Sequence, residues 1–174
     1  THQIECDVLS WSGGKDSFLA LKNLAAENKR DVILMTTFDG RTGQVAHQDV
    51  HIDDIKAQAE SLGINLMLVP LYPQYDYLSR IELALQRVLM GRPVKRLAFG
   101  DLHLEHIRDW RGTHLGPLLS KMGISSHYPN WLKPYAVLEK EFFGSRASAT
   151  VSAVANTALS GICEVGDEFS PQLL

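Results

Sequence analysis

The sequence predicts an α/β protein, a doubly wound and mostly parallel sheet with helices on both faces. Two observations carry this. Short apolar runs alternate with apolar stripes at helical spacing, the βαβα rhythm of a parallel sheet with helical crossovers. A glycine turn also follows the first apolar run directly and opens an amphipathic stretch, as at the strand-to-helix junctions of such sheets.

Each element follows in chain order. Residues 4–9 form the first apolar run, and Phe18, Leu21 and Ala25 mark the helix after it. Residues 32–35 are continuously apolar, as expected of a strand buried on both faces. Ile52, Ile55, Ala59 and Leu62 are helically spaced, and residues 64–69 read as the next strand, stopped by Pro70. Leu78, Ile81, Leu85 and Val88 form another helical stripe, and residues 94–99 a strand that runs into Gly100-Asp101. Leu115, Leu118, Leu119 and Met122 place a further helix. Helices are expected to stop at Gly63, Gly91, Gly123 and Gly144, each able to take the left-handed position past a helix end. Residues 126–131 hold too many breakers to place, residues 147–154 read as a strand of small residues, and residues 166–170 as a loop. Residues 1–125 are expected to form the α/β core and residues 126–174 a C-terminal, substrate-side region.

Composition narrows the function classes. A chain of 174 residues, 45% apolar and 21% charged, suits one globular domain with a substantial core. Its net charge of −3 argues against a general nucleic-acid-binding surface. No stretch reaches membrane-spanning length and no signal-peptide pattern is read, so no membrane partner is expected. Cys6 and Cys163 are far apart, which excludes a C-x-x-C zinc ribbon or dithiol and implies a reducing, cytoplasmic setting.

The chemistry concentrates in Trp11-Ser12-Gly13-Gly14-Lys15-Asp16-Ser17. A strand, a glycine turn and a helix N-terminus aim backbone N–H groups and the positive end of a helix dipole at one point, which suits a phosphate. Lys15 and the hydroxyls of Ser12 and Ser17 add donors there. A Walker A loop would need glycine where Leu9 stands and Ser or Thr where Asp16 stands. The adjacent glycines also break the Rossmann G-x-G-x-x-G spacing. Residues 12–17 instead resemble the S-G-G-x-D-S loop of the PP-loop ATP pyrophosphatases, also described as adenine nucleotide alpha hydrolase-like. Three later segments, Gly100-Asp101-Leu102, Arg108-Asp109-Trp110-Arg111 and Pro129-Asn130-Trp131, make the chain similar to the diphthine–ammonia ligase branch of that superfamily. Family members continue with a glycine- and glutamate-rich segment after the region matching residues 164–169. The chain ends at Leu174, so its C-terminal region is expected to be incomplete.

The resemblance implies an ATP-dependent adenylating ligase. ATP would place its β,γ-phosphates in residues 12–17, a carboxylate would be adenylated with release of pyrophosphate, and ammonia would displace AMP to form an amide. Cofactor-binding positions are then Ser12, Gly13, Gly14, Lys15, Asp16, Ser17 and Gly100, with Thr36 and Thr37 where the superfamily reads adenine, largely through backbone. Lys15, Asp101 and Arg111 are the catalytic candidates, and Asp16 and Asp101 the candidate Mg²⁺ ligands. Substrate-side candidates are His47, Arg108 and Trp131.

Each residue also has a plainer reading. Asp16 and Ser17 could cap the helix, Asp101 could cap the next one, and Thr36-Thr37 could be a plain strand end. Arg108 and Arg111 share a helix face with Glu105 and Asp109 that could simply be solvated. His47 and His51 stand i, i+4 like a zinc pair, but Gln48 replaces the glutamate of H-E-x-x-H, so a helix entry is the reading adopted. Expected partners are ATP, Mg²⁺, ammonia and a carboxylate substrate, a modified protein residue being one candidate; a homodimer is one candidate assembly. Two other functions fit: an ATP- or AMP-binding module without turnover, and a tRNA-modifying PP-loop enzyme such as a thiolase.

Overall fold

A computed structural model describes residues 4–46, 49–154 and 161–173. In chain order it contains β1 (Cys6–Ser10), α1 (Lys15–Glu27), β2 (Asp31–Asp39), β3 (Gln44–Val45), β4 (Val50–His51), α2 (Ile52–Leu62) and β5 (Leu66–Leu71). Then follow α3 (Tyr77–Leu89), β6 (Val94–Ala98), α4 (Glu105–Lys121), β7 (Ser125–His127) and α5 (Tyr135–Phe143).

Five strands form one sheet in the order β5-β2-β1-β6-β7, and every pair in it is parallel. From β1 the chain winds outward through β2 to β5, then returns past β1 to β6 and β7. Right-handed crossovers therefore place the first helices on one face and the later ones on the other. Side-chain packing agrees. Leu9 and Leu34 pack with Ala20, Leu24, Ile55 and Ala59 of α1 and α2, whereas Val8 and Ile33 pack with Ile81, Leu85, Leu115 and Leu119 of α3 and α4. The expected doubly wound sheet is thus the observed fold. A smaller cluster of Leu19, Leu102, Leu138 and Phe142 seats α5 beside α1.

Several local expectations need correction. Pro70 does not stop β5; it lies within the strand, opposite Phe38. β5 is an edge strand, so a residue without an N–H is tolerated there. Of the four glycines expected past helix ends in the left-handed region, Gly63 (φ 64) and Gly123 (φ 69) adopt it. Gly144 sits at φ −75, and α3 ends on right-handed Met90. Residues 147–154 are not a sheet strand: Thr150 makes one isolated antiparallel bridge to Glu168, and residues 155–160 lie outside the described residues. Among the described residues, the segment from Ala149 to Val151 pairs with the one from Gly166 to Phe169 and with no strand of the sheet. The stripe of Leu115 and the helix face of Arg108 and Arg111 belong to one helix, which starts at Glu105 and carries Pro117 in its interior.

One buried ionic group ties α1 to the sheet. Asp7 is 2% exposed, and its carboxylate accepts a bond of 2.5 Å from Arg96, which also donates to Glu27 at 2.9 Å. Arg30 lies 3.7 Å from Asp7, and His127 3.5 Å from Glu27. Arg96 holds the Glu27 carboxyl below its usual range, while burial and the same guanidinium lower His127. Unfolding therefore lets His127 take up a proton below its ordinary pKa of about 6.5, and stability falls as pH drops through that value. Glu27 acts in the same sense lower down: its contribution is complete above the ordinary carboxylate pKa and is lost as pH falls through the lowered one.

Two outcomes follow for urea unfolding. Arg96→Met should cost about 3 kcal/mol, because it removes the close partner of the buried Asp7 carboxylate and leaves it Arg30 at 3.7 Å. His127→Asn should remove the loss of stability that sets in as pH falls below about 6.5; an unchanged profile would show that His127 does not cause it.

Candidate functional site

Reversal of winding direction at β1 leaves the segments after β1 and after β6 side by side at the carboxyl end of the sheet, where α/β sheets bind ligands. Residues 11–14 make the first segment. Trp11 is 3% exposed and held from three sides. Its N–H donates to the Met35 carbonyl at 2.8 Å, its carbonyl accepts from Thr36 Oγ1 at 2.7 Å, and its indole Nε1 donates to Gln58 Oε1 at 2.9 Å. Gly13 has φ +82, and a Cβ there would lie 2.7 Å from Ile55 Cδ1, so both backbone and space call for glycine.

Gly14 occupies the N-cap position of α1, and no side chain caps the helix. The first-turn N–H groups thus remain for a ligand. Ser17 is 3% exposed; its Oγ donates to the Gly14 carbonyl at 2.9 Å and lies 3.3 Å from Ser12 Oγ. Ser17 therefore braces the turn and does not face the cavity as a phosphate donor. Asp16 is not a cap either: its carboxylate binds Lys15 Nζ at 2.6 Å, and the same ammonium lies 5.9 Å above the Phe169 ring.

A cavity of about 1010 Å³ opens beside this loop. Its size is near the upper end of small-molecule sites, about 300–1,000 Å³. Residues 12–16 form one wall, Asp54 and Gln58 of α2 another, and residues 147–152 with Phe169 a third. Phe169 is fixed by stacking on Phe143 (5.4 Å) and by a 2.7 Å bond from its N–H to the Ala149 carbonyl.

The second segment, Gly100-Asp101, lies against the back of the loop. A Cβ on Gly100 would come 2.9–3.0 Å from the backbone of Asp16 and Ser17. Asp101 pairs with Arg111, whose guanidinium lies 4.0 Å from the centre of the Phe99 ring. Arg108 stacks over Trp131 (4.6 Å) and Tyr128 (5.5 Å), so both arginines of α4 are engaged and not merely solvated. Asp101, Arg108, Arg111 and Trp131 come together as one cluster, outside the cavity wall formed by residues 12–16.

The adenine candidates are placed differently from expectation. Thr36 and Thr37 lie inside β2, which continues to Asp39 because residues 34–39 pair with β5. The Thr36 hydroxyl is spent on Trp11, and neither threonine lines the cavity. His47 lies outside the described residues. His51 caps α2 by accepting from the Asp53 N–H at 3.2 Å, in keeping with a helix entry.

Among the described residues no group of three or more His, Cys, Asp or Glu side chains gathers as a metal cage. Mg²⁺ accompanying a nucleotide needs only one or two carboxylates besides phosphate oxygens and water. Asp16 and Asp101 are hard oxygen donors of that kind, each now holding a cation, so their chemistry fits such an ion.

Sequence reasoning missed Gln58, Phe169 and Asn130. Asn130 is fully buried; it accepts from Asn23 Nδ2 at 2.6 Å and so ties the turn before Trp131 to α1. Its position in Pro129-Asn130-Trp131 was the available signal. Gln58 had none, since a glutamine between two apolar helix positions reads as surface.

The family described as Diphthamide synthase N-terminal domain matches residues 6–113, a span running from β1 into α4. No curated protein matches the chain. Among solved structures, the chain is similar to a predicted subunit of tRNA methyltransferase from Methanocaldococcus jannaschii, with 16% identity and a TM-score of 0.54 over 86% of this chain and 80% of that one. It is also similar to the U34-tRNA thiolase NcsA from Methanococcus maripaludis, solved with its [4Fe-4S] cluster, at 16% identity and a TM-score of 0.50. That match covers 84% of this chain and 59% of the thiolase, so the chain spans about three fifths of that protein. At such identities the likeness establishes the fold.

Gly100→Ala tests the contact behind the loop. The added methyl meets backbone, which cannot swing aside, so the α1 N-terminus must shift. Affinity for inorganic pyrophosphate, measured by calorimetry, should fall at least about tenfold; undiminished binding would show that the contact does not position the loop.

Proposed function

The chain belongs to the Diphthamide synthase N-terminal domain family of the PP-loop superfamily, and from that premise we propose that it is an ATP-dependent, AMP-forming amide ligase. The observation that carries the proposal is the uncapped α1 N-terminus, with Lys15 beside it, opening onto a nucleotide-sized cavity at the switch point of the sheet.

ATP would lay its β,γ-phosphates against residues 12–16. A substrate carboxylate oxygen attacks the α-phosphorus, the bond to the β-phosphate oxygen breaks, and pyrophosphate leaves. Ammonia then attacks the acyl carbon, AMP departs with the bonding electron pair, and the ammonium proton passes to water. The protein's part is positioning and charge stabilisation. Lys15 exchanges Asp16 for a phosphate oxygen, and the N–H groups of the first α1 turn donate to the remaining phosphate oxygens. Mg²⁺, held by Asp16 or Asp101 with phosphate oxygens, would neutralise triphosphate charge. Arg111, paired with Asp101 outside the cavity wall, would have to leave that carboxylate and move toward the cavity to do the same. Arg108, Tyr128 and Trp131 form a stacked wall on the acceptor side.

A second reading, tRNA modification, is favoured by two features. Both structural neighbours carry tRNA in their names. Trp110 also lies exposed on α4, stacked on His114 at 4.7 Å, a surface suited to an unpaired base. Against sulfur transfer through Cys6, that thiol is fully buried and pushed up to about 11, so it is not a thiolate at neutral pH.

With [α-³²P]ATP, ammonia and candidate carboxylates, labelled AMP should appear only when both co-substrates are present. Formation of ADP alone would sink the ligase reading; AMP formation that requires tRNA would favour the second. Lys15→Ala should weaken ATP binding at least about tenfold, and equal affinity would remove the loop assignment.

A further inference from the structure

Gln58 lies on α2, more than forty residues from the loop in sequence, and its side-chain amide spans that loop. Oε1 accepts the Trp11 indole N–H at 2.9 Å, and Nε2 donates to the Gly13 carbonyl at 3.1 Å. The amide orientation is unambiguous: an indole N–H only donates and a carbonyl only accepts, so the reversed amide would lose both bonds. Its helix cannot drift, because Ile55 is fully buried and Ala59 is 4% exposed on either side of it.

The bond matters because of the peptide it holds. Gly13 and Gly14 flank one peptide unit, and neither has a Cβ to resist its rotation. In a trans peptide the carbonyl and the N–H point in opposite directions. With the Gly13 carbonyl tied to α2, the Gly14 N–H must face away from α2; there it meets Ser12 Oγ at a long 3.3 Å, easily exchanged for an anion. Rotated the other way, the same unit would present carbonyl oxygen to the anion and repel it.

We propose that Gln58 is a positioning residue that locks the Gly13–Gly14 peptide in its anion-binding orientation, the side-chain amide acting as a strap from α2 to the phosphate loop. This rests on the reading of residues 12–16 as a pyrophosphate cradle and adds to it a residue outside the motif. Gln58→Met keeps length and flexibility while removing both bonds.

Pyrophosphate titration and ¹⁵N relaxation dispersion on the labelled chain test it. Gln58→Met should show millisecond exchange at the Gly14 amide and affinity about tenfold lower than the unmodified chain, with a lowered unfolding midpoint because the buried Trp11 N–H loses its acceptor. Should that variant fold poorly, Trp11→Phe deletes one anchor and keeps an aromatic ring; it should show the same exchange and weakening to a smaller extent. Equal pyrophosphate affinity in the folded variants overturns the lock and leaves the cradle standing. Absence of pyrophosphate binding by the unmodified chain overturns the cradle, and the lock with it.

Discussion

β1 has a parallel neighbour on each side, and the chain reaches those neighbours at different times, β2 immediately and β6 only after β5 and α3. This constraint orders the rest of the molecule. Two helices must cover one face and two the other, and the segments leaving β1 and β6 must emerge together with no crossover helix between them. The close approach of Gly100 to the backbone of Asp16 and Ser17 is the atomic expression of that meeting.

α1 transmits the arrangement. Its N-terminus is the uncapped end at Gly14, and near its C-terminus Glu27 shares the Arg96 guanidinium with buried Asp7. Between them, Asn23 reaches the buried Asn130, and Lys22 Nζ donates to the Glu141 carbonyl of α5. A helix tied to the sheet, to the turn before Trp131 and to α5 cannot tilt freely. Its N-terminal dipoles therefore have one fixed direction, the pre-organisation that an anion site at a helix N-terminus requires.

Much of the fold was legible because its signals are local. Continuous apolar runs predicted the central strands, stripes such as Ile81, Leu85 and Val88 predicted helices, and residues 12–17 announced the glycine turn between β1 and α1 from composition and context. Errors fell where a neighbour decides. Pro70 is compatible with a strand only because β5 lies at an edge. Thr36 reads as a strand end until the pairing of β2 with β5 carries the strand past it, and its hydroxyl proves to hold Trp11. Residues 147–152 have the composition of a strand but no sheet to join, and instead wall the cavity.

By itself the sequence determined the α/β class, the glycine turn that opens α1 and the positions of Lys15, Asp101, Arg108 and Arg111 along the chain, since periodicity, glycine spacing and charge are carried by residues near one another in the chain. Tertiary structure alone decided which of these share a surface. It joined Gly100 to the back of the loop, set Asp101 and the two arginines in an aromatic cluster outside the cavity wall, and brought Gln58 and Phe169 to the cavity. Those contacts link residues tens of positions apart. Strand order creates such proximity, and no local pattern of side chains encodes it.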